Sequence, residues 1–116
     1  MLRVVPPAGA PAPLAPDRVA FDRRELSAIL GVYGRFVAAG EWRDYGLDML
    51  RDVAVFSIFR RSAEHPIYRV EKRPKLSAKQ GQYSVIGMDG RILKRGHDLA
   101  QVLRVFDAKL IRAVED

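Results

Sequence analysis

The spacing of apolar positions changes twice along this chain, dividing it into a helical stretch, a strand-rich stretch and a second helical stretch. From Leu26 onward Leu26, Ile29, Leu30, Tyr33, Phe36 and Val37 recur every three or four positions, the spacing that lays one stripe along a helix. Asp22 and Glu25 stand at its start as a capping box, with Phe21 and Leu26 as the matching hydrophobic staple. Gly40 is a natural stop, because it tolerates the left-handed cap conformation. Gly31 and Gly34 lie inside this helix, each costing about 1 kcal/mol relative to alanine. Close approach of a strand or of the second helix is the expected compensation; the functional counterpart is a groove for a partner backbone.

After Gly40 the period becomes two. Tyr45, Leu47 and Met49 alternate with Asp44 and Asp48, which predicts a half-buried strand. Val53 to Phe59 carries apolar residues on both faces and is the most deeply placed strand. Ser62 to Pro66 is a loop and Ile67 to Lys72 a third strand. Arg73 to Gly81 reads as an exposed loop with one short helical turn. Tyr83 to Met88 and Arg91 to Lys94 flank Asp89-Gly90, a strong hairpin signal. Helical spacing then returns at Leu99, Val102, Leu103, Phe106, Leu110 and Val114, with Asp98 and Gln101 as a second capping box. The predicted fold class is α+β: an N-terminal helix, an antiparallel meander of four to five strands and a C-terminal helix. Both helices cover one sheet face and leave the other open.

Composition sets the bounds of this domain. The 116 residues suffice for one, taken as 21–116. Residues 1–20 are expected to be a disordered Pro/Ala-rich tail, since Pro6, Pro7, Pro11, Pro13 and Pro16 favour extended conformers over helix. This segment lacks the compact apolar core of a signal peptide. No apolar run approaches the roughly 18 residues of a membrane helix, so no membrane partner is expected. With no cysteine, disulfides, thiolate metal sites and cysteine nucleophiles are excluded, and a cytoplasmic location is expected. His65 and His97 have no metal-ligand spacing, so neither metal nor cofactor is expected.

Charge adds a partner class. Between Arg60 and Arg95 stand ten basic residues, Arg60, Arg61, Arg69, Lys72, Arg73, Lys75, Lys79, Arg91, Lys94 and Arg95, against three acids, Glu64, Glu71 and Asp89. That local excess of seven exceeds the whole chain's +6, and a basic face attracts nucleic acid or other anionic partners. Tyr68 and Tyr83 interleave with it as rings on which bases could stack, core packing being the competing role; for Phe59 core packing is expected. Lys94-Arg95-Gly96-His97-Asp98, placed between a strand and the last helix, has the cations and the helix end of an anion site. Asp98 opposes this, because its carboxylate takes the cap donors and repels phosphate. His97 has no oriented partner that would make it a proton carrier, and no nucleophile, base and oxyanion donor assemble, so no enzyme is expected. Trp42 and Tyr45 are the candidate interface residues, although Trp42 equally suits a lock between helix and sheet.

The runs Phe21-Asp22-Arg23-Arg24-Glu25-Leu26, Ala38-Ala39-Gly40-Glu41-Trp42-Arg43-Asp44-Tyr45, Ala54-Val55-Phe56-Ser57-Ile58-Phe59-Arg60-Arg61 and Leu93-Lys94-Arg95-Gly96-His97-Asp98-Leu99-Ala100-Gln101-Val102-Leu103 resemble a family of short alphaproteobacterial proteins catalogued only as a domain of unknown function. The resemblance implies no activity and no functional residue. The order of elements is also similar to the double-stranded RNA-binding domain, but the lysine cluster which that domain places at the start of its last helix is missing here. The expected function is therefore a small non-enzymatic binding module whose basic surface contacts nucleic acid or an acidic protein. Its alternative is a protein-interaction or homodimerisation module using an exposed sheet face or edge.

Overall fold

The computed structural model describes residues 17–61 and 65–115. Helix α1 (Arg23–Ala38) leads into strands β1 (Asp44–Met49), β2 (Ala54–Phe59), β3 (Tyr68–Lys72), β4 (Tyr83–Gly87) and β5 (Ile92–Gly96). Helix α2 (Leu99–Leu103), a 3₁₀ turn (Arg104–Phe106) and helix α3 (Asp107–Glu115) follow. The strands form one sheet in the order β1-β2-β3-β4-β5, each pair antiparallel. This is the predicted α+β meander, with five strands.

Helix α1 starts where its capping box places it. Asp22 Oδ1 accepts from the Glu25 N–H at 2.8 Å, and the Asp22 N–H donates to Glu25 Oε1 at 2.8 Å. At its end the Gly40 N–H donates to the Val37 carbonyl and the Glu41 N–H to that of Phe36, with Gly40 at φ 78°. These are the two bonds of a Schellman motif, and they need the left-handed residue at Gly40. Ile29, Val32 and Phe36 form the buried stripe. Val37, predicted as part of it, is exposed, because it lies about 100° around the axis from Phe36.

Gly31 and Gly34 do not have the predicted packing role. A Cβ at either would meet nothing within 4 Å, so no described strand or helix approaches them. A close approach occurs instead at Gly81, whose φ is +100° and where a Cβ would run into the Gly96 backbone. Gly96 in turn packs against Val102 of α2. The long loop, the end of β5 and α2 are thereby held together.

One face of the sheet carries Leu47, Phe56, Ile58, Val70, Tyr83 and Val85, which join Ile29, Phe36, Leu99, Val102, Leu103 and Phe106 in the core. The single C-terminal helix predicted is broken by the 3₁₀ turn, yet Leu99, Val102, Leu103 and Phe106 stay buried across the break. No glycine or proline marks that turn, so residue types gave no signal of it. The Val114 side chain, residues 1–16 of the predicted tail and Ser62 to Glu64 of the predicted loop lie outside the described residues. The fold takes hold of the chain before the cap: Arg18 Nη1 donates to the Met49 carbonyl at 3.3 Å and the Val19 N–H to that of Leu50 at 2.7 Å.

Candidate functional site

The sheet face turned away from the helices is built by register, and its Val55, Ser57, Glu71, Ser84 and Ile86 are buried rather than open as predicted. Asp48, Val55, Glu71, Ser84 and Arg95 stand side by side across all five strands, and Gly46, Ser57, Arg69, Ile86 and Ile92 form the next row. A bulge between β4 and β5 makes the second row possible: the register shifts between Val85 and Ile86, so Leu93 packs against the core while Ile92 aligns with Ile86. Phe59, paired with Asp44, is the aromatic ring of the strands that falls on this face.

Glu71 is the centre of the charged group here. It is only 6% exposed, and a buried carboxylate requires partners. Arg69 Nε lies 3.4 Å from its Oε2 and Arg73 Nε 3.1 Å from its Oε1. Arg95 stands one strand beyond Ser84 and donates from Nη1 to Gln80 Oε1 at 3.2 Å, which ties the long loop to β5. Two arginines thus hold one carboxylate, and Arg95 stands two strands away on the same face.

The other seven basic candidates do not join them. Lys72 points to the helix side, where Nζ donates to Glu25 Oε1 at 2.8 Å and to the Ala20 carbonyl at 2.9 Å. Lys75 pairs with Asp52 at 3.0 Å, Arg60 with Glu41 at 3.9 Å and Arg91 with Asp89 at 3.7 Å. All three pairs are exposed, and such pairs contribute little to stability. Arg61 and Lys79 are exposed on loops. Lys94 sits in an open depression of about 400 Å³ with Gln101, Arg104 and Val105.

The proposed Lys94 to Asp98 anion segment comes apart for a related reason. Strand β5 runs on to Gly96, so Lys94 pairs opposite Val85 and Arg95 opposite Ser84. Adjacent strand residues point to opposite faces. Asp98 Oδ1 accepts from the N–H groups of Ala100 and Gln101 at 3.0 and 3.4 Å, and His97 is exposed.

Trp42 lies inside the core at 3% exposure, so it offers no interface ring. It stacks on Phe36 with centroids 4.1 Å apart and meets Phe106 edge-on at 5.2 Å, which is the locking role. Tyr45 is partly exposed and stacks on Phe56 at 4.7 Å. Tyr68 and Tyr83 also face the helices. Tyr68 lies edge-on to Phe106 with Lys109 Nζ 5.6 Å from its ring centroid.

The hydroxyl of Tyr83 donates to Glu25 Oε2. Burial and the Glu25 carboxylate together push the Tyr83 hydroxyl well above its ordinary range. Burial works to raise Glu25, but hydrogen bonds from Lys72, Tyr83 and the Asp22 N–H outweigh it and hold the carboxyl below its usual value. Glu25, Lys72 and Tyr83 therefore join α1 to β3 and β4. The capping role of Glu25 was legible in the sequence; this second role was not, because its partners are 47 and 58 positions away.

Among the described residues no group of three or more His, Asp or Glu side chains could hold a metal ion, and no helix is long and apolar enough to cross a membrane. Neither a curated protein nor a solved structure matches the chain. A family model does match residues 19–103, from the strand of chain at Val19 to the end of α2, including the whole sheet and both of its faces. The chain belongs to the family described as Protein of unknown function (DUF2794).

Proposed function

We propose that this domain is a small non-enzymatic binding module of the cytoplasm that contacts nucleic acid through the arginines on the sheet face turned away from its helices. The observation that carries this function is the convergence of Arg69, Arg73 and Arg95 on one face. Guanidinium groups present a planar fork that suits phosphate oxygens, and the strands hold two of them at a set spacing. Glu71 neutralises part of the charge and orients Arg69 and Arg73. Phe59 adds one ring on which a base can stack. The scattered cations contribute to net charge and solubility.

Polarisation titrations with single- and double-stranded DNA and RNA at two salt concentrations test this. Affinity should fall steeply with salt, and removing the three arginines should lower the log–log salt slope by about 2 to 3, since each phosphate contact contributes about 0.9. Lys75→Ala with Arg91→Ala should leave both affinity and slope close to the parent. Absence of binding at low salt to every probe would rule nucleic acid out.

A second function is favoured by one observation. Ile92 is exposed at the start of the outer strand β5 and Met88 in the turn that precedes it, and an apolar edge strand is a template for pairing with another chain. A solution mass of two chains that Ile92→Lys reduces to one would favour homodimerisation.

A further inference from the structure

We propose that the depression beside Lys94 is a binding site for a small organic phosphate, a phosphomonoester with a compact apolar body. It lies on the helix side of the sheet, apart from Arg69, Arg73 and Arg95, and measures about 400 Å³. Lys94 reaches it from β5, Gln101 from α2, and Arg104 and Val105 from the 3₁₀ turn. Two features of the fold build this grouping. The β4–β5 register sets Lys94 opposite Val85, a core residue on the helix side. The spacing of Gln101 and Arg104 puts both on one side of the last helical stretch.

The polar lining of the depression is a set of donors. The Lys94 ammonium and the Arg104 guanidinium donate only, and the Gln101 amide donates from its nitrogen. Among the described residues, neither the Lys94 ammonium nor the Gln101 side-chain amide has a hydrogen-bond or ion-pair partner. Arg104 Nε stands 3.7 Å from Asp107 Oδ2, with both side chains more than half exposed. That separation is beyond hydrogen-bond range, which leaves the terminal nitrogens for another acceptor. Asp98, which opposes an anion at the start of α2, caps Ala100 and Gln101 and does not line this depression. Donors gathered without an acceptor suit an anion with several oxygens. A phosphomonoester offers three terminal ones, and charge-assisted bonds to them are the strong kind.

Arg104 also borders a second depression, of about 170 Å³, where α1 meets α2. The short side chains of Ala28 and Ala100 leave a groove there over Val32 and Leu103, which are buried. The exposed Arg35 and Asp107 complete its lining. Their charges offset each other, so nothing in the groove calls for a second anionic group. A ligand held by its phosphate at Lys94, Gln101 and Arg104 can therefore lay an apolar body between the two helices. The larger depression by itself falls within the roughly 300–1,000 Å³ of small-molecule sites.

The test follows amide signals of the full, isotope-labelled chain by NMR during titration with phenyl phosphate and, separately, with inorganic phosphate at constant ionic strength. Phenyl phosphate should shift Lys94, Gln101 and Arg104 and, through its ring, Ala28, Ala100 and Leu103. It should bind about tenfold more tightly than inorganic phosphate, because the ring buries apolar surface. Lys94→Ala and Arg104→Ala should each weaken both phosphates about tenfold. Ala100→Leu fills the groove and should weaken phenyl phosphate alone. Lys94, Ala100 and Arg104 are all exposed, so each variant should keep the melting temperature of the parent. No shift at these residues with either phosphate at millimolar concentration would overturn the proposal. Shifts confined to Arg69, Arg73 and Arg95 would do the same, since the anion would then sit on the opposite face. Equal affinity for the two phosphates, or an Ala100→Leu effect on both alike, would remove the organic body and overturn the ligand class.

Discussion

Strand β2 presents two unlike surfaces from adjacent residues. Phe56 and Ile58 point into an aromatic core where Trp42, Phe36, Tyr33 and Phe106 meet, and packing holds that side together. Val55 and Ser57 point to a face where small side chains lie beneath arginines anchored on Glu71. The first surface excludes water by volume and shape. The second holds charge in a low-exposure setting, where each group depends on a specific partner. A ligand-binding role falls to the second, because its stabilising groups are also the ones a phosphate can engage.

Substitutions on the two sides of β2 should separate these contributions. Phe56→Ala removes a fully buried ring and should cost about 3–5 kcal/mol in denaturant unfolding. Glu71→Ala comes next: it leaves Arg69 and Arg73 without their carboxylate and should cost about 2 kcal/mol, while tightening DNA binding at low salt. A stability loss without any gain in binding would separate Glu71 from the interface. Val55→Ala should cost about 1.5 kcal/mol, because the Val55 side chain is buried; a loss of only a few tenths would mark it as solvent-exposed.

A smaller effect is tied to pH. The folded state holds Glu25 below its ordinary value of 4.5, so its contribution is present above that value. It is lost as pH falls through the lower folded-state value. Unfolding free energies measured between about pH 6 and about pH 3 should fall less steeply for Glu25→Gln than for the parent. Equal slopes would show that other carboxylates carry the acid sensitivity. The smallest effect lies outside both faces: Gly31→Ala and Gly34→Ala should each stabilise by about 0.5–1 kcal/mol, read as a rise in melting temperature. A loss would mean that a partner needs the bare backbone of α1.

Much of the fold was readable from short-range pattern. The Asp22 and Gly40 caps, the alternation of β1 and the Asp89-Gly90 hairpin each depend on residues within a few positions of one another. The candidate site was less legible. Arg69 and Lys72, both in the basic stretch, fall on opposite sides of the sheet because their separation is odd, and that much could be counted. The placement of Arg95 on the same face as Arg69 and Arg73 could not, since it needs the β3–β4 and β4–β5 registers. Trp42 misled as an interface residue because its polar neighbours, Glu41 and Arg43, are exposed or half-exposed while its own ring turns inward.

Element types, their order and their caps follow from the amino-acid sequence alone, because backbone preference and side-chain period act over one or two turns. Which charges meet was decided by the tertiary structure. Charge along a sequence is only a sum, whereas Coulomb and hydrogen-bond energies depend on separation and burial. Strand pairing brings Arg95 within two strands of Glu71 across 24 positions and sends Lys94, its immediate neighbour, to the other side.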